Sequence, residues 1–378
     1  MRKTIRKTLM GLLVLVSIVS MLAGCGDSST QTNAPTPTPS AETPTPSPDS
    51  SPSQSSTPTP TPPPPSPEPS YDPAEDPDQG RFFGGSFTNT VGGLVIETEW
   101  IPLEVSLPRA ERSNISIAVI GDAWYLLVDG VLRQYKPAGG VLVLEKEYPP
   151  LEVRSERGMH DTMSVDRNGV LYVSGSGCHL YAFKDGEEIM NQPSGVYTPA
   201  EYISAPSGEW GIAATNYRKA IMDGSWGSLV EWPRVEGSRF SAFVSITEKY
   251  VFIGARAEDI TLQSVHVFDH NENYLMTLSD DPNAERETGR LGTPSGAVDT
   301  GNGFMVADSN FNNLIFYDRN GAVIGVLNSS DLFGTQGRAL ISIRQPALLP
   351  DGSMVFAFLA ERTDGDGEEV IVYRLTGF

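Results

Sequence analysis

The chain has 378 residues, a formal net charge of −20 and 39% hydrophobic residues, enough to bury one large core or two smaller ones. Its acidic balance argues against nucleic acid, because phosphate binding draws on a basic surface. The same balance suits cations, basic peptides or neutral sugars.

The first residues set Arg2, Lys3, Arg6 and Lys7 ahead of an apolar run from Leu9 to Met21. That is the order read by export machinery, and the run falls short of the roughly 20 apolar residues that a transmembrane helix needs. It closes on Leu22-Ala23-Gly24-Cys25, which resembles the lipobox of bacterial lipoproteins. The resemblance implies cleavage after residue 24 and a diacylglycerol thioether at Cys25. The expected location is then extracytoplasmic, anchored to the bacterial cell membrane and presented at the surface. Several acyl chains would make that anchoring effectively permanent, at roughly 0.8 kcal/mol per buried methylene.

Residues 25–80 change character, carrying 17 of the chain's 30 prolines among Ser, Thr and a few acids, with no Lys or Arg. So little apolar surface cannot offset the entropy of ordering, and repeated Thr-Pro steps favour extended polyproline II. The segment is expected to be a disordered stalk reaching on the order of 170 Å when fully extended. Residues 81–378 remain for the working domain.

That domain begins with Leu94–Ile101, whose alternation puts Leu94, Ile96 and Trp100 on one side and Glu97 and Glu99 on the other. Four short runs follow, at Ile115–Val119, Trp124–Val128, Val131–Tyr135 and Val141–Leu144. A second unit holds Met163–Val173 and Leu180–Phe183, with a turn at Lys184-Asp185-Gly186. A third runs from Tyr202 to Trp232 with poor copies of the pattern, and a fourth from Phe240 to Leu278. The fifth is the clearest. It reads Thr293-Pro294-Ser295-Gly296-Ala297-Val298-Asp299, then Phe304-Met305-Val306-Ala307-Asp308, then Asn313–Tyr317 and Asp318-Arg319-Asn320-Gly321. A sixth, from near Ile341, supplies three strands, Ala347-Leu348, Ser353–Phe358 and Glu369–Leu375, before the C-terminus.

The fifth unit resembles an NHL repeat, which implies one blade of a β-propeller. Inner-strand positions 118, 165, 203, 243, 297 and 347 recur every 38 to 54 residues, the period of propeller blades. The expected fold is all-β, a propeller of six four-stranded blades. Its last blade lacks a strand, which Leu94–Ile101 would supply as an outer strand, closing the ring and covering two exposed edges.

The chemistry is sparse. The four histidines, His160, His179, His266 and His270, do not show zinc-site spacing, and His266 and His270 are expected to face solvent from a strand and its turn. Cys178 reads as a buried thiol that packs as a small hydrophobe. The acid-rich runs at 280–287 and 363–369 read as solvated loops and a hairpin turn. No nucleophile elbow or phosphate loop is present, and no metal or cofactor is expected. Long amphipathic helices of an importer's solute-binding protein are missing too. Binding of a protein, peptide or glycan is therefore favoured over catalysis, the alternative being an extracytoplasmic propeller enzyme of the lactonase or lyase type. In propellers, loops leading into the innermost strands ring one mouth of the channel. Here they carry His160, Asp161, Glu201, Arg239, Thr293 and Arg344, which form the candidate ligand-binding set.

Overall fold

The structure is a computed structural model. It describes residues 85–107, 115–153, 158, 160–175, 177–193, 202–213, 218–222, 226–257, 263–279, 290–311, 313–328, 331–332, 346–361 and 368–378. The leader 1–24, Cys25, the segment 25–80, Glu201, Arg344, the run 280–287 and most of 363–369 lie outside the described residues.

Two strands come first, β1 (Ser86–Val91) and β2 (Leu94–Ile101). Blade one holds β3 (Ile115–Ile120), β4 (Ala123–Val128), β5 (Val131–Ala138) and β6 (Val141–Glu147). Blade two holds β7 (Thr162–Val165), β8 (Val170–Ser174), β9 (His179–Lys184) and β10 (Glu187–Pro193). Blade three holds β11 (Tyr202–Ser204), β12 (Trp210–Ala213), β13 (Arg218–Met222) and β14 (Trp226–Glu231). Blade four holds β15 (Ser238–Ile246), β16 (Tyr250–Ala257), β17 (Gln263–Asp269) and β18 (Tyr274–Ser279). Blade five holds β19 (Pro294–Asp299), β20 (Phe304–Asp308), β21 (Asn313–Tyr317) and β22 (Val323–Leu327). The last strands are β23 (Ala347–Leu348), β24 (Met354–Glu361) and β25 (Glu368–Thr376).

Each of blades one to five is an antiparallel meander paired in chain order. Tight hairpins set the registers. At Asp129-Gly130 and Asp185-Gly186 both residues have positive φ, the twist a two-residue hairpin requires. Wider turns use an aspartate. Asp166 Oδ1 accepts the amides of Asn168 and Val170 at 2.8 and 2.9 Å, and Asp318 Oδ1 accepts those of Asn320 and Ala322 at the same distances. The repeated Asp-Arg-Asn-Gly sequence is thus the repeated loop geometry.

The sixth sheet has the order β1-β2-β25-β24-β23. Strand β2 pairs with β25 from Glu97 opposite Thr376 to Ile101 opposite Val372, so the N-terminal segment completes the last blade as expected. Strand β1 adds a fifth, outermost strand that the sequence reading did not include, paired to β2 from Ser86 opposite Glu99. Strands β23 and β24 both touch β3. The fold is a six-bladed β-propeller.

The core is not one mass but six seams, each a cluster shared by two neighbouring blades. Strands between two seams are buried on both faces, so alternation is lost within them. This corrects the reading of His266, which does not face solvent: with Val265 and Val267 beside it on β17, it is buried. Its ring nitrogens instead meet Thr277 Oγ1 at 2.8 Å and Ser238 Oγ at 2.9 Å. His270 is half-buried and donates from Nε2 to the Thr247 carbonyl at 2.9 Å. Trp100 shares a side of β2 with Ile96 but not its burial. It is 36% exposed, because the cluster that covers Ile96, built with Leu327 and Leu332, does not extend to it.

Candidate functional site

The innermost strands are β3, β7, β11, β15, β19 and β23, and along the axis they ring lies an open cavity of ≈ 280 Å³, lined by five of them and by Pro206 just after β11. Every blade contributes. Ile117 and Val119 come from blade one, Met163 and Val165 from blade two, Pro206 from blade three, Ile246 from blade four, Val298 from blade five and Leu348 from blade six. The walls are therefore apolar, while the polar groups gather where the inner strands end, at Asp166, Arg167, Thr247 and Glu248.

Arg167 and Glu248 form an ion pair across blade three. Arg167 Nε donates to both Glu248 carboxylate oxygens at 3.2 Å, and Nη2 donates to Oε2. The Arg167 amide donates to the Pro206 carbonyl at 2.7 Å, which fixes the backbone beneath the pair. Hydrogen bonds from Arg167 hold the Glu248 carboxyl below the usual carboxylate range. Both side chains remain more than half exposed, so the pair can exchange partners with a ligand at little cost. Asp166 cannot do so freely, because Oδ1 is engaged by its own turn. The site can thus hold an apolar group along the axis and bond a polar end at the rim.

The sequence-predicted residues lie where the inner strands begin. His160 and Asp161 precede β7, Arg239 is in β15 and Thr293 precedes β19. His160 is buried, its Nε2 2.9 Å from the His179 carbonyl oxygen, and burial pushes its pKa down to about 4. Asp161 is buried and accepts the Thr162 hydroxyl at 3.0 Å. Arg239 and Thr293 are exposed, and the Thr293 amide donates to Asp308 Oδ2 at 3.0 Å. None of these four lines the axial cavity.

The rim residues at the other mouth were missed because Arg167 and Glu248 are 81 positions apart in the chain. Asp166-Arg167-Asn168-Gly169 was visible only as a turn. Cys178 is buried, and burial, with the charge of Asp161, pushes its thiol up to about 12. It stays protonated at neutral pH and is no nucleophile there.

No protein-family model matches the chain, and no curated protein sequence matches it. Similar backbones occur among solved structures. The chain is similar to YCF48 bound to a D1 peptide, at 11% identity and a TM-score of 0.43, over 74% of this chain and 98% of that one. It is similar to an oligogalacturonate lyase of Vibrio parahaemolyticus at 9% identity and a TM-score of 0.42, over 78% and 98%. It is also similar to the WD40 propeller domain of Doa1, at 11% identity and a TM-score of 0.39, over 78% and 97%.

Proposed function

We propose that this chain is a bacterial lipoprotein, anchored outside the cytoplasm through Cys25, whose propeller is a binding module that receives a peptide or glycan ligand on the channel axis. The axial cavity carries the binding reading. Six sequence-distant segments line it, and the combination of apolar walls with a few directed polar groups is that of a ligand pocket. The charged-then-apolar leader ending in Leu22-Ala23-Gly24-Cys25 supports the anchor, and the proline-rich segment after it suits a spacer.

The ligand is sought by probing glycan and peptide arrays with residues 81–378. Leu348→Trp, which puts a larger side chain at the cavity wall, and Arg167→Ala, which removes the rim donor, should each abolish or weaken capture of the array hit without changing the melting temperature. The opposite mouth is the second location, since Arg239 and Thr293 are exposed there. Arg239→Ala and Thr293→Ala test it, and loss of capture in these variants alone, at an unchanged melting temperature, would move the site to that mouth. The anchor is tested by labelling with a fatty-acid analogue, and label persisting in Cys25→Ala would refute it.

A further inference from the structure

Five side chains give the axial cavity its polarity, Ser164, Asp166, Arg167, Thr247 and Glu248, and three of them are already engaged. Ser164 Oγ accepts the Ser204 amide at 2.9 Å and lies 3.5 Å from the Tyr202 carbonyl oxygen. Thr247 Oγ1 accepts the Tyr250 amide at 3.2 Å and donates to the Tyr250 carbonyl at 3.3 Å. Asp166 is held by its own turn, with the Tyr172 hydroxyl 3.4 Å from Oδ2. Hydrogen-bonding capacity for a ligand therefore rests with Arg167 and Glu248, which are more than half exposed and bonded to each other. Their charges cancel. A ligand anion that takes Arg167 strands Glu248, and a ligand cation that takes Glu248 strands Arg167. A peptide group replaces both partners at once, its carbonyl oxygen accepting from Arg167 and its amide donating to Glu248, with no charge left over.

The walls select further. Among the described residues no aromatic ring lines the cavity, so a sugar has no face to stack on, and most of its hydroxyls would give up water without gaining a partner. An apolar side chain has no such loss. Val119, Val165 and Pro206 are half-buried and Leu348 is 44% exposed, so apolar surface around the axis is still open to be covered. A cavity of about 150 Å³ with apolar walls admits benzene. The axial cavity, at ≈ 280 Å³, therefore takes a side chain the size of leucine, methionine or phenylalanine.

We infer that the axial ligand is an uncharged stretch of peptide, one large apolar side chain of which enters the cavity while a neighbouring peptide group bridges Arg167 and Glu248. This narrows the axial reading proposed above to one ligand class and rests on it. The test is isothermal titration of the full chain with acetyl-glycyl-X-glycinamide, X being phenylalanine, glycine, lysine or glutamate. The phenylalanine peptide should bind about thirtyfold more tightly than the glycine peptide, the effect of burying one large apolar side chain, and the lysine and glutamate peptides no better than glycine. Leu348→Trp should abolish the preference. Acetyl-glycyl-phenylalanine with a free carboxylate should bind the parent no better than its amide does, but should bind Glu248→Gln about tenfold better than the amide, because Arg167 is then unneutralised. A free carboxylate that improves binding to the parent would make the rim an anion site and overturn the inference, as would four peptides that bind alike or not at all. Chitohexaose bound in their place and blocked by Leu348→Trp would overturn the peptide class while leaving the axial site standing. A phenylalanine preference that survives Leu348→Trp would put the site off the axis, and both readings would fall.

Discussion

The amide of Ser204 donates to the side-chain oxygen of Ser164 at 2.9 Å, across the seam between blades two and three. Beside it the Tyr202 amide donates to Ser174 Oγ at 2.8 Å. An innermost strand has no sheet neighbour on its axial side, so its buried donors need partners from elsewhere. This seam uses hydroxyls for that purpose. Among the described residues it also has the smallest apolar cluster, six buried side chains against fifteen between blades five and six.

Ser164→Ala and Ser174→Ala should therefore each destabilise the propeller. Each change strands a buried amide, which costs about 1–3 kcal/mol, where replacement of the half-buried Ser207, whose Oγ accepts the Glu209 amide in an exposed turn, should cost less. Urea denaturation checks this, and amide exchange should show Tyr202 and Ser204 losing protection first. Unchanged midpoints in both variants would mean that the hydroxyls do not latch this seam.

Acid should weaken the fold through two histidines. Burial pushes His160 and His266 down to about 4, below the unfolded value near 6.5, so the unfolded chain binds more protons between those pH values. Their contribution is complete above pH 6.5 and is lost as pH falls from there towards 4, on the order of 3 kcal/mol for each histidine. For His266 the immediate partners are the hydroxyls of Thr277 and Ser238 and the edge-on ring of Tyr274, none charged. His266→Gln keeps hydrogen-bonding groups without a titrating ring. Its melting temperature should vary less than the parent's between pH 4 and 6.5, and parallel pH profiles would refute the assignment.

Asp308 shows what a motif conceals. Its place, the last residue of Val306-Ala307-Asp308, is legible in the repeat, but its work is not. Its carboxylate is fully buried, with Oδ2 accepting the Gly292 and Thr293 amides and Oδ1 accepting those of Asn310 and Phe311. Asp308→Asn must turn an NH₂ group towards one pair of donors. The expected loss is about 2–3 kcal/mol, measured by urea denaturation, and an unchanged midpoint would mean that the loop repacks.

Blade number, strand order and ring closure were legible because short apolar runs and Asp-Gly or Asn-Gly turns repeat along the chain. The site was not, because partners such as Arg167 and Glu248 belong to different blades and only the ring brings them together. Alternation misled in a specific way. His266 looks exposed beside apolar neighbours on one strand, but a blade wedged between two others buries both faces of β17. Strand β1 was missed because Ser86–Val91 has one fully buried residue, Val91, at its end, and its place depends on pairing with β2.

The closure itself can be tested by cutting it. Strand β2 covers the edge of β25, and together with β1 it puts Ile96 and Val91 into the cluster between blades five and six. Thr98 Oγ1 adds a buried hydrogen bond to the Leu332 carbonyl at 3.1 Å. A chain starting at Glu111 loses all of these and exposes the amides of β25 as a free sheet edge, prone to pairing with other copies. Two buried aliphatic side chains are worth about 3–6 kcal/mol, which for a domain of this size corresponds to a fall in melting temperature on the order of 10 °C. The comparison is with a chain starting at Arg81, by calorimetry and light scattering. A lower transition with self-association is the expected result. If both chains melt at the same temperature as monomers, β25 does not need β2, and the ring is held shut by β23 and β24 against β3 alone.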